Sequence, residues 1–256
     1  MMRRARGFGA LWAVTGLLSL AAFLLISLVA QAQFGPTFTP NGPWFVQGCK
    51  NYLTGGTLVA SVTCTMSTGA RAGSTYVLIA NASLTSASPI SSATDDKGDS
   101  CTVAQGVSSS NNSFGIAYCS NITAGATVIT VNWASNSAYG CIEADELRNV
   151  GVIDGHAAQV QFSPGTGSNA VTSGSFTPSV NGDMVWAGSL QVGSAAGTFS
   201  AGTGFTAGLA YVVVADKSFM SENLIQATAG SIAGTFTASS SPTIVETGGM
   251  AFKPKG

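Results

Sequence analysis

Stretches in which apolar and polar residues alternate recur through the chain, and a period of two predicts half-buried β-strands. One such stretch runs from Thr57 to Met66. Its apolar face consists of Leu58, Ala60, Val62, Cys64 and Met66. Ala126–Trp133 and Asp183–Val192 alternate in the same way, which predicts that Trp133 and Trp186 point into a core. Ser74–Ala82 has apolar residues on both strand faces, which predicts a strand inside a sheet.

Shorter segments extend this pattern to the end of the chain. Further strands are predicted at Tyr139–Leu147, Leu209–Ala215, Ser231–Ala238 and Gly249–Phe252. The stretch between Arg148 and Ser179 is Gly-rich and predicts a connection, interrupted by the run AAQVQF, and Ser83–Ser92 predicts a Ser-rich loop. No segment has a sustained helical period, although Ser221–Thr228 predicts one or two helical turns at most.

The stretch from Ser100 to Ser120 predicts a β-hairpin with a cysteine at each end. Its turn is the polar run from Ser108 to Asn112. With Ser110 at the centre, the facing pairs are Cys101 and Cys119, Val103 and Ala117, and Gln105 and Gly115. This register brings two thiols together and predicts a Cys101–Cys119 disulfide.

The composition supports an all-β chain. Of the 256 residues, 45% are hydrophobic, only 8% are charged and 32 are glycines, which argues against disorder and against a helical protein. Thr-Ala-Gly at 123–125 recurs at 228–230, and Gly73-Ser74 parallels Gly182-Asp183, at offsets of about 105 and 109 residues. We therefore predict a two-sheet antiparallel β-sandwich of jelly-roll type with an internally duplicated strand set.

The first 32 residues have the pattern of an export signal. A basic start, MMRRARG, precedes the apolar run Ala10–Ala30, and Ala30-Gln31-Ala32 fits an A-x-A cleavage site. The run is also long enough for an uncleaved membrane anchor, and either outcome exports the body of the protein. Residues 33–45 contain three prolines and predict an extended tail, and residues 46–256 are predicted to form one domain.

Export permits disulfides, and five cysteines follow the signal segment. After Cys101–Cys119, the next predicted pair is Cys49–Cys64, which flanks a Thr-Gly-Gly-Thr turn. The pair Cys64–Cys141 is the less favoured alternative. The thiol that remains is predicted to be a small buried side chain. Because the chain has one histidine and no CxxC, no metal site and no cofactor are predicted.

Charge argues against nucleic acid as a partner. Ten Lys and Arg face eleven Asp and Glu, but Arg3, Arg4 and Arg6 belong to the signal, so the mature chain carries a net charge of about −4. Its basic residues are scattered singly, whereas nucleic-acid binding requires clustered positive charge. No membrane contact is predicted after signal cleavage.

The order of these segments resembles a group of secreted bacterial and phage-associated β-sandwich domains of jelly-roll, concanavalin-like type. The resemblance rests on segments such as AGSTYVLIANASL, ATDDKGDSCTVAQG and GSFTPSVNGDMVWAG, and it covers roughly residues 57–253. It implies a β-sandwich in an extracellular setting. The group has no common function, so the resemblance assigns no role to any residue.

The run Glu143-Ala144-Asp145-Glu146 is a candidate catalytic site. Glu143 and Asp145 share a strand face, as nucleophile and helper do in concanavalin-like β-glucanases. Leu147 stands where the general acid would be, and Glu146 points to the other face. The pattern therefore favours an exposed strand end over a hydrolase.

Asp95, Asp96 and Asp99 cluster around Gly98. Three carboxylates suit Ca²⁺, but Asp and Gly favour turns by themselves, so a tight turn at 94–100 is the preferred prediction. His156 is the only histidine, and the chain has no G-x-S-x-G elbow. It is therefore predicted to lie in a surface loop.

We predict a non-enzymatic extracellular or cell-surface module for adhesion or binding, with a glycan or another cell-surface ligand. Polar loops at the ends of a rigid sandwich are the usual contact sites, and Trp44 would stack on a sugar if it is exposed. One alternative is a self-assembling filament or surface-layer subunit whose residues 33–45 add a strand to a neighbouring copy. The other is a polysaccharide hydrolase that uses Glu143 and Asp145.

Overall fold

The computed structural model describes residues 42–109, 111–162, 170–192, 197–213, 217–239 and 244–256. The predicted signal, residues 1–32, and the tail as far as residue 41 lie outside these ranges. No helix within the described ranges is long and apolar enough to cross a membrane.

In the described residues the chain forms fourteen β-strands and no helix. They are β1 (Trp44–Thr65), β2 (Thr75–Ala82), β3 (Ile90–Asp95), β4 (Thr102–Ser109), β5 (Asn112–Cys119), β6 (Val128–Arg148), β7 (Val150–Phe162), β8 (Ala170–Thr172), β9 (Asp183–Val192), β10 (Phe199–Ala201), β11 (Thr206–Val213), β12 (Lys217–Gln226), β13 (Thr235–Ala238) and β14 (Ile244–Pro254). All pairings between them are antiparallel.

Two central sheets, one of six strands and one of five, organise the fold. The first has the order β1-β6-β2-β5-β4, and the second has the order β11-β12-β9-β14-β7. Strand β3 pairs with the early part of β6, and β10-β13-β8 form a separate three-stranded sheet. The predicted all-β, antiparallel sandwich is therefore confirmed.

The strand order repeats between residues 44–148, the first half, and residues 150–254, the second half. Strands β1, β6, β2, β5 and β4 correspond in chain order and sheet position to β7, β14, β9, β12 and β11. Irregularities in register recur as well. The β1–β6 pairing shifts between Phe45 and Gln47, and the β7–β14 pairing shifts at the matching place, between Ala251 and Phe252. The duplicated strand set predicted from the sequence is thus present.

The halves pack through their central sheets, with β2 and β9 in the middle of the contact. Gly188 of β9 passes so close to Ile79 of β2 that a Cβ there would lie 2.9 Å from Ile79 Cγ2. The shared core includes Val77, Ile79, Phe114, Ile116, Leu147, Met184, Trp186, Leu190, Phe219, Met250 and Phe252. Further apolar clusters lie on the opposite face of each central sheet, so each half is itself a small sandwich.

Two strands lie where the sequence does not predict them. The first part of the predicted connection after Arg148 is β7, and most of the segment predicted to contain a helical turn lies in β12, between β9 and β11. In β12 the buried positions include Ser221 and Glu222, so burial does not follow hydrophobicity there. Strand β3 likewise begins at Ile90, inside the predicted Ser-rich loop.

Leu58 does not face the core, which corrects the predicted face of β1. Its side chain is 63% exposed, whereas Val62, Cys64 and Met66 are buried as predicted. The β1–β6 register shifts between Thr54 and Ser61, and these irregularities break the alternation. The alternating apolar face that the sequence predicts is therefore buried only in the part of β1 that follows the register shift.

The hairpin of β4 and β5 carries the predicted Cys101–Cys119 disulfide, and a second disulfide joins Cys49 to Cys64. Val103 lies opposite Ala117 as predicted, but a bulge then shifts the register. Gln105 consequently lies opposite Ile116 and not Gly115. Cys141 is a buried free thiol, the outcome predicted for the fifth cysteine.

Candidate functional site

A surface pocket of about 570 Å³ opens beyond the end of β2. Its lining residues are Ser83, Leu84, Thr85, Ser86, Asn111 and Ser135. Five of these six side chains carry a hydroxyl or an amide, and none is charged. The lining therefore offers neutral hydrogen-bond donors and acceptors to a ligand.

The loop that forms one wall of the pocket is held in place by hydrogen bonds. Ser113 Oγ donates to the backbone oxygens of Leu84, at 2.9 Å, and of Ser86, at 2.5 Å. Ser83 N donates to Tyr139 O at 3.1 Å, which ties the start of the loop to β6. The side chains of Ser83 and Thr85 remain exposed. The wall is thus shaped before any ligand arrives.

The tryptophans divide between core and surface. Trp133 and Trp186 are buried, as their alternating positions predict. Trp44 is half-buried at the start of β1, away from the residues that line the pocket. An aromatic stacking platform is therefore not part of this pocket.

The candidate carboxylates Glu143 and Asp145 lie in the interior of the fold. Glu143 is 1% exposed and Asp145 is fully buried, so the prediction of an exposed strand end is wrong. Both project from β6 toward the second central sheet, where Trp186 Nε1 donates to Asp145 Oδ2 at 2.8 Å. Gly48 on β1 makes room for this carboxyl, because a Cβ there would collide with Asp145 Oδ1.

Burial shifts the protonation of both carboxyls toward the neutral form. It raises the pKa of Asp145 to about 6, an effect that hydrogen bonds from Ser221 and Trp186 partly offset. Burial raises the pKa of Glu143 well above its usual range, and the charge of Asp145 adds to this. A glycosidase needs its carboxyls to flank a sugar in an open cleft. The enclosed pair does not provide that geometry.

The three aspartates around Gly98 stabilise a turn, as the sequence predicts. Asp95 Oδ1 accepts hydrogen bonds from the backbone nitrogens of Lys97, at 2.9 Å, and Asp99, at 3.0 Å. Asp99 Oδ2 accepts one from Thr123 N at 2.6 Å, and this bond lowers the pKa of Asp99. Within the described residues, no group of three or more His, Cys, Asp or Glu side chains is arranged to hold a metal ion.

His156 lies on β7 and not in a loop, because the predicted connection is a strand. Its side chain is exposed, in agreement with the expected surface position. Nδ1 lies 3.2 Å from Gln105 Oε1 on β4, the edge strand of the other central sheet. The histidine thus contacts an amide across the edges of the two sheets.

A set of buried polar side chains between the central sheets is not predicted from the sequence. Asn81 on β2, Lys217 on β12 and Glu246 on β14 are each 5% exposed or less. Asn81 Nδ2 donates to Glu246 Oε2 at 2.5 Å. The sequence did contain an indication of this burial. Glu246 is on the same face of its strand as the buried Met250 and Phe252, and Lys217 is on the same face as the buried Phe219.

In comparisons with known proteins, no family model and no curated protein matches the chain.

Proposed function

We propose that this protein is an exported, non-enzymatic binding module for adhesion and that its pocket beyond β2 receives a neutral saccharide. The observation that carries the proposal is the lining of that pocket, which combines five hydroxyl or amide side chains with no charge. A sugar presents hydroxyl groups that both donate and accept hydrogen bonds. A site lined by neutral polar groups matches this chemistry and disfavours charged ligands.

The rigidity of the surrounding structure supports this function. The Cys101–Cys119 disulfide spans the ends of the β4–β5 hairpin, whose turn contributes Asn111 to the pocket. The opposite wall is fixed by the hydrogen bonds of Ser113. A wall that is already ordered loses less conformational entropy on binding. Two disulfides also fit an oxidising, extracellular environment.

A glycan array probed with the mature chain, followed by titration of the best saccharide, tests the proposal. Thr85→Ala removes an exposed hydroxyl of the pocket, and Ser135→Trp fills its volume. We expect the first variant to weaken binding about tenfold and the second to abolish it. The control is Thr203→Ala, which removes an exposed threonine hydroxyl in the second half. Absence of saccharide binding, or equal binding by all variants, would refute the proposed function.

The alternative of self-assembly rests on a different observation. Strand β1 is an edge strand of the first central sheet, and the tail of residues 33–43 leads directly into it. Edge strands accept a strand from another chain. Size-exclusion chromatography of the mature chain with and without residues 33–43 separates the two functions. Assemblies that depend on the tail favour the filament, and a monomer in both cases favours the binding module.

A further inference from the structure

Lys217 is a buried amine without a hydrogen-bond partner. Its side chain is only 5% exposed, and Nζ makes no hydrogen bond to any part of the chain that the structure describes. The ring of Tyr139 lies near it, with 5.9 Å between Nζ and the ring centroid. Leaving an ammonium group buried and unpaired is costly, and buried polar groups normally find partners. The position of this lysine therefore requires a chemical explanation.

An amide and a carboxyl group are buried in the same interior on two other strands. Asn81 Nδ2 donates to Glu246 Oε2 at 2.5 Å and to Ser113 O at 3.2 Å. Glu246 Oε1 is buried and has no hydrogen-bond partner in the described residues. The charge of Lys217 acts on Glu246 and on the thiol of Cys141, which lies opposite Asn81 in the β2–β6 pairing. Lys217 and Asn81 therefore share two neighbours.

We propose that Lys217 and Asn81 form an intramolecular isopeptide bond, with Glu246 as the group that transfers the proton. Glu246 first takes the proton of the Lys217 ammonium group; the neutral amine Nζ then attacks Cγ of Asn81, the Nζ–Cγ bond forms and the Cγ–Nδ2 bond breaks. Glu246 takes a proton from Nζ and delivers one to Nδ2, which leaves as ammonia. The reaction exchanges one amide for another, so it requires no oxidant, reductant or other reactant.

The arrangement of the carboxyl group suits this transfer. Oε2 already holds the nitrogen that leaves, and Oε1 is unoccupied on the same group. Burial raises the pKa of Glu246 to about 8, and the hydrogen bond from Asn81 and the charge of Lys217 partly offset this effect. A carboxyl group with such a pKa gains and loses a proton near neutral pH, as a general acid and base must.

The surroundings exclude water from the reacting atoms. Phe114 lies opposite Asn81 in the β2–β5 pairing, and Leu190 lies opposite both Glu246 and Phe219. All three apolar side chains are buried. Groups that are fixed close together in a dry core react far faster than the same groups in solution. The fold itself would thus drive the reaction, without a separate enzyme.

The bond would connect the two halves of the protein. Asn81 belongs to the first half and Lys217 to the second, whereas both disulfides lie within the first half. A cross-link between β2 and β12 restricts the unfolded chain and resists separation of the central sheets. The bond would lie within the core of the fold, and its formation does not depend on the saccharide proposed above.

The intact mass of the purified mature chain, measured after reduction in denaturant, tests the proposal. Loss of ammonia lowers the mass by about 17 Da relative to the sequence. Digestion should then yield one branched peptide in which the segments around Asn81 and Lys217 are joined. An unmodified mass overturns the proposal. A succinimide at Asn81 would give the same mass loss but leave Lys217 in a separate peptide, and that result also overturns it.

Variants assign the roles of the three residues. Lys217→Arg and Glu246→Gln should both have the full mass of their sequences, because one lacks the nucleophile and the other cannot take up the proton. Lys255→Arg, at an exposed position near the end of the chain, is the matched control and should keep the loss of about 17 Da. A Glu246→Gln protein that still loses ammonia would refute the assigned role of Glu246. Circular dichroism of each variant establishes that the β-structure is retained.

Discussion

The two halves share one strand order but are stabilised in different ways. In the first half, β1 and β6 run unbroken for 22 and 21 residues, and two disulfides pin the structure. In the second half, the matching strands within the described residues are β7 with β8 and β13 with β14, and residues 150–254 contain no cysteine. Buried carboxyl groups occur in both halves, Glu143 and Asp145 in the first and Glu222 and Glu246 in the second, so the disulfides mark the difference. One topology thus tolerates two different sets of stabilising interactions.

Equivalent positions at the contact between the halves carry unequal side chains. Val77 on β2 corresponds to Trp186 on β9, and Ile79 corresponds to Gly188, because each pair occupies the same place in its sheet. The large side chain of one half fills the space beside the small one of the other. The differing side chains of the two halves therefore fit together more closely at the contact between the central sheets than identical side chains would.

The largest expected effect comes from truncating Trp186 and comparing it with its counterpart. Trp186→Ala removes a fully buried aromatic side chain and the hydrogen bond to Asp145, so the free energy of unfolding should fall by about 4 kcal/mol or more. Val77→Ala should lower it by only about 2 kcal/mol. Denaturant titration measures both. Equal losses would show that the two positions contribute alike and would break the comparison.

Removing the disulfides should weaken only the half that contains them. Each closes a loop of 15 or 18 residues, so Cys49→Ser with Cys64→Ser, or Cys101→Ser with Cys119→Ser, should lower the free energy of unfolding by about 3 kcal/mol. Hydrogen exchange should increase first in the first half. Exchange that increases equally in β9 and β14 would mean that the halves are not separately stabilised.

The second half should become less stable as pH rises. Glu222 accepts hydrogen bonds from the backbone nitrogens of Gly202 and Thr235, yet burial raises its pKa from 4.5 to about 7. Above about pH 4.5 the unfolded chain releases this proton while the folded chain keeps it, so stability falls until the pH passes about 7.

Glu222→Gln cannot ionise and should reduce the decrease in stability between pH 5 and pH 8 by about 2.5 kcal/mol. The control is Glu143→Gln, whose buried carboxyl lies in the first half and should account for a separate part of the pH dependence. Thermal unfolding across this pH range provides the measurement. A Glu222→Gln protein with the full wild-type slope would contradict the role of burial at this residue.

The smallest effect is expected at Leu58. Its side chain is 63% exposed beyond a register shift in β1, so Leu58→Ser should change the free energy of unfolding by less than about 0.5 kcal/mol. Val62→Ala, on the buried side of the same strand, should lower it by about 1–3 kcal/mol. Equal losses at both positions would restore the simple alternating face that the sequence suggests.

The sequence predicts the fold class, the duplication and the Cys101–Cys119 disulfide, because each depends on local alternation or on spacing. It fails at β7 and at β12, and in β12 several of the buried side chains are polar. Glu222 and Ser221 are buried because neighbouring strands supply hydrogen bonds, and no window of sequence contains those partners. The bulge after Val103 is likewise set by the pairing of two strands.

The candidate sites show the same limit. The turn of Asp95, Asp96 and Asp99 is predictable because Asp95 accepts hydrogen bonds from Lys97 and Asp99, within the turn itself. Glu143 and Asp145 are placed on one strand face correctly, but their burial depends on a second sheet that is remote in sequence. Asn81, Lys217 and Glu246 are buried on three strands that come from both halves, and only the packing of the two sheets reveals this.

Cutting the chain between the halves tests the central claim, that they pack through their central sheets as one body. A protease site inserted at Asn149, the residue between β6 and β7, allows the folded protein to be cleaved there. The disulfides do not cross this junction, and Lys217→Arg removes the proposed Asn81–Lys217 bond that would, so this variant is the protein to be cut. We predict that the two fragments elute together from a size-exclusion column under native conditions, at the volume of the uncut chain. Separate elution of the fragments would contradict the account.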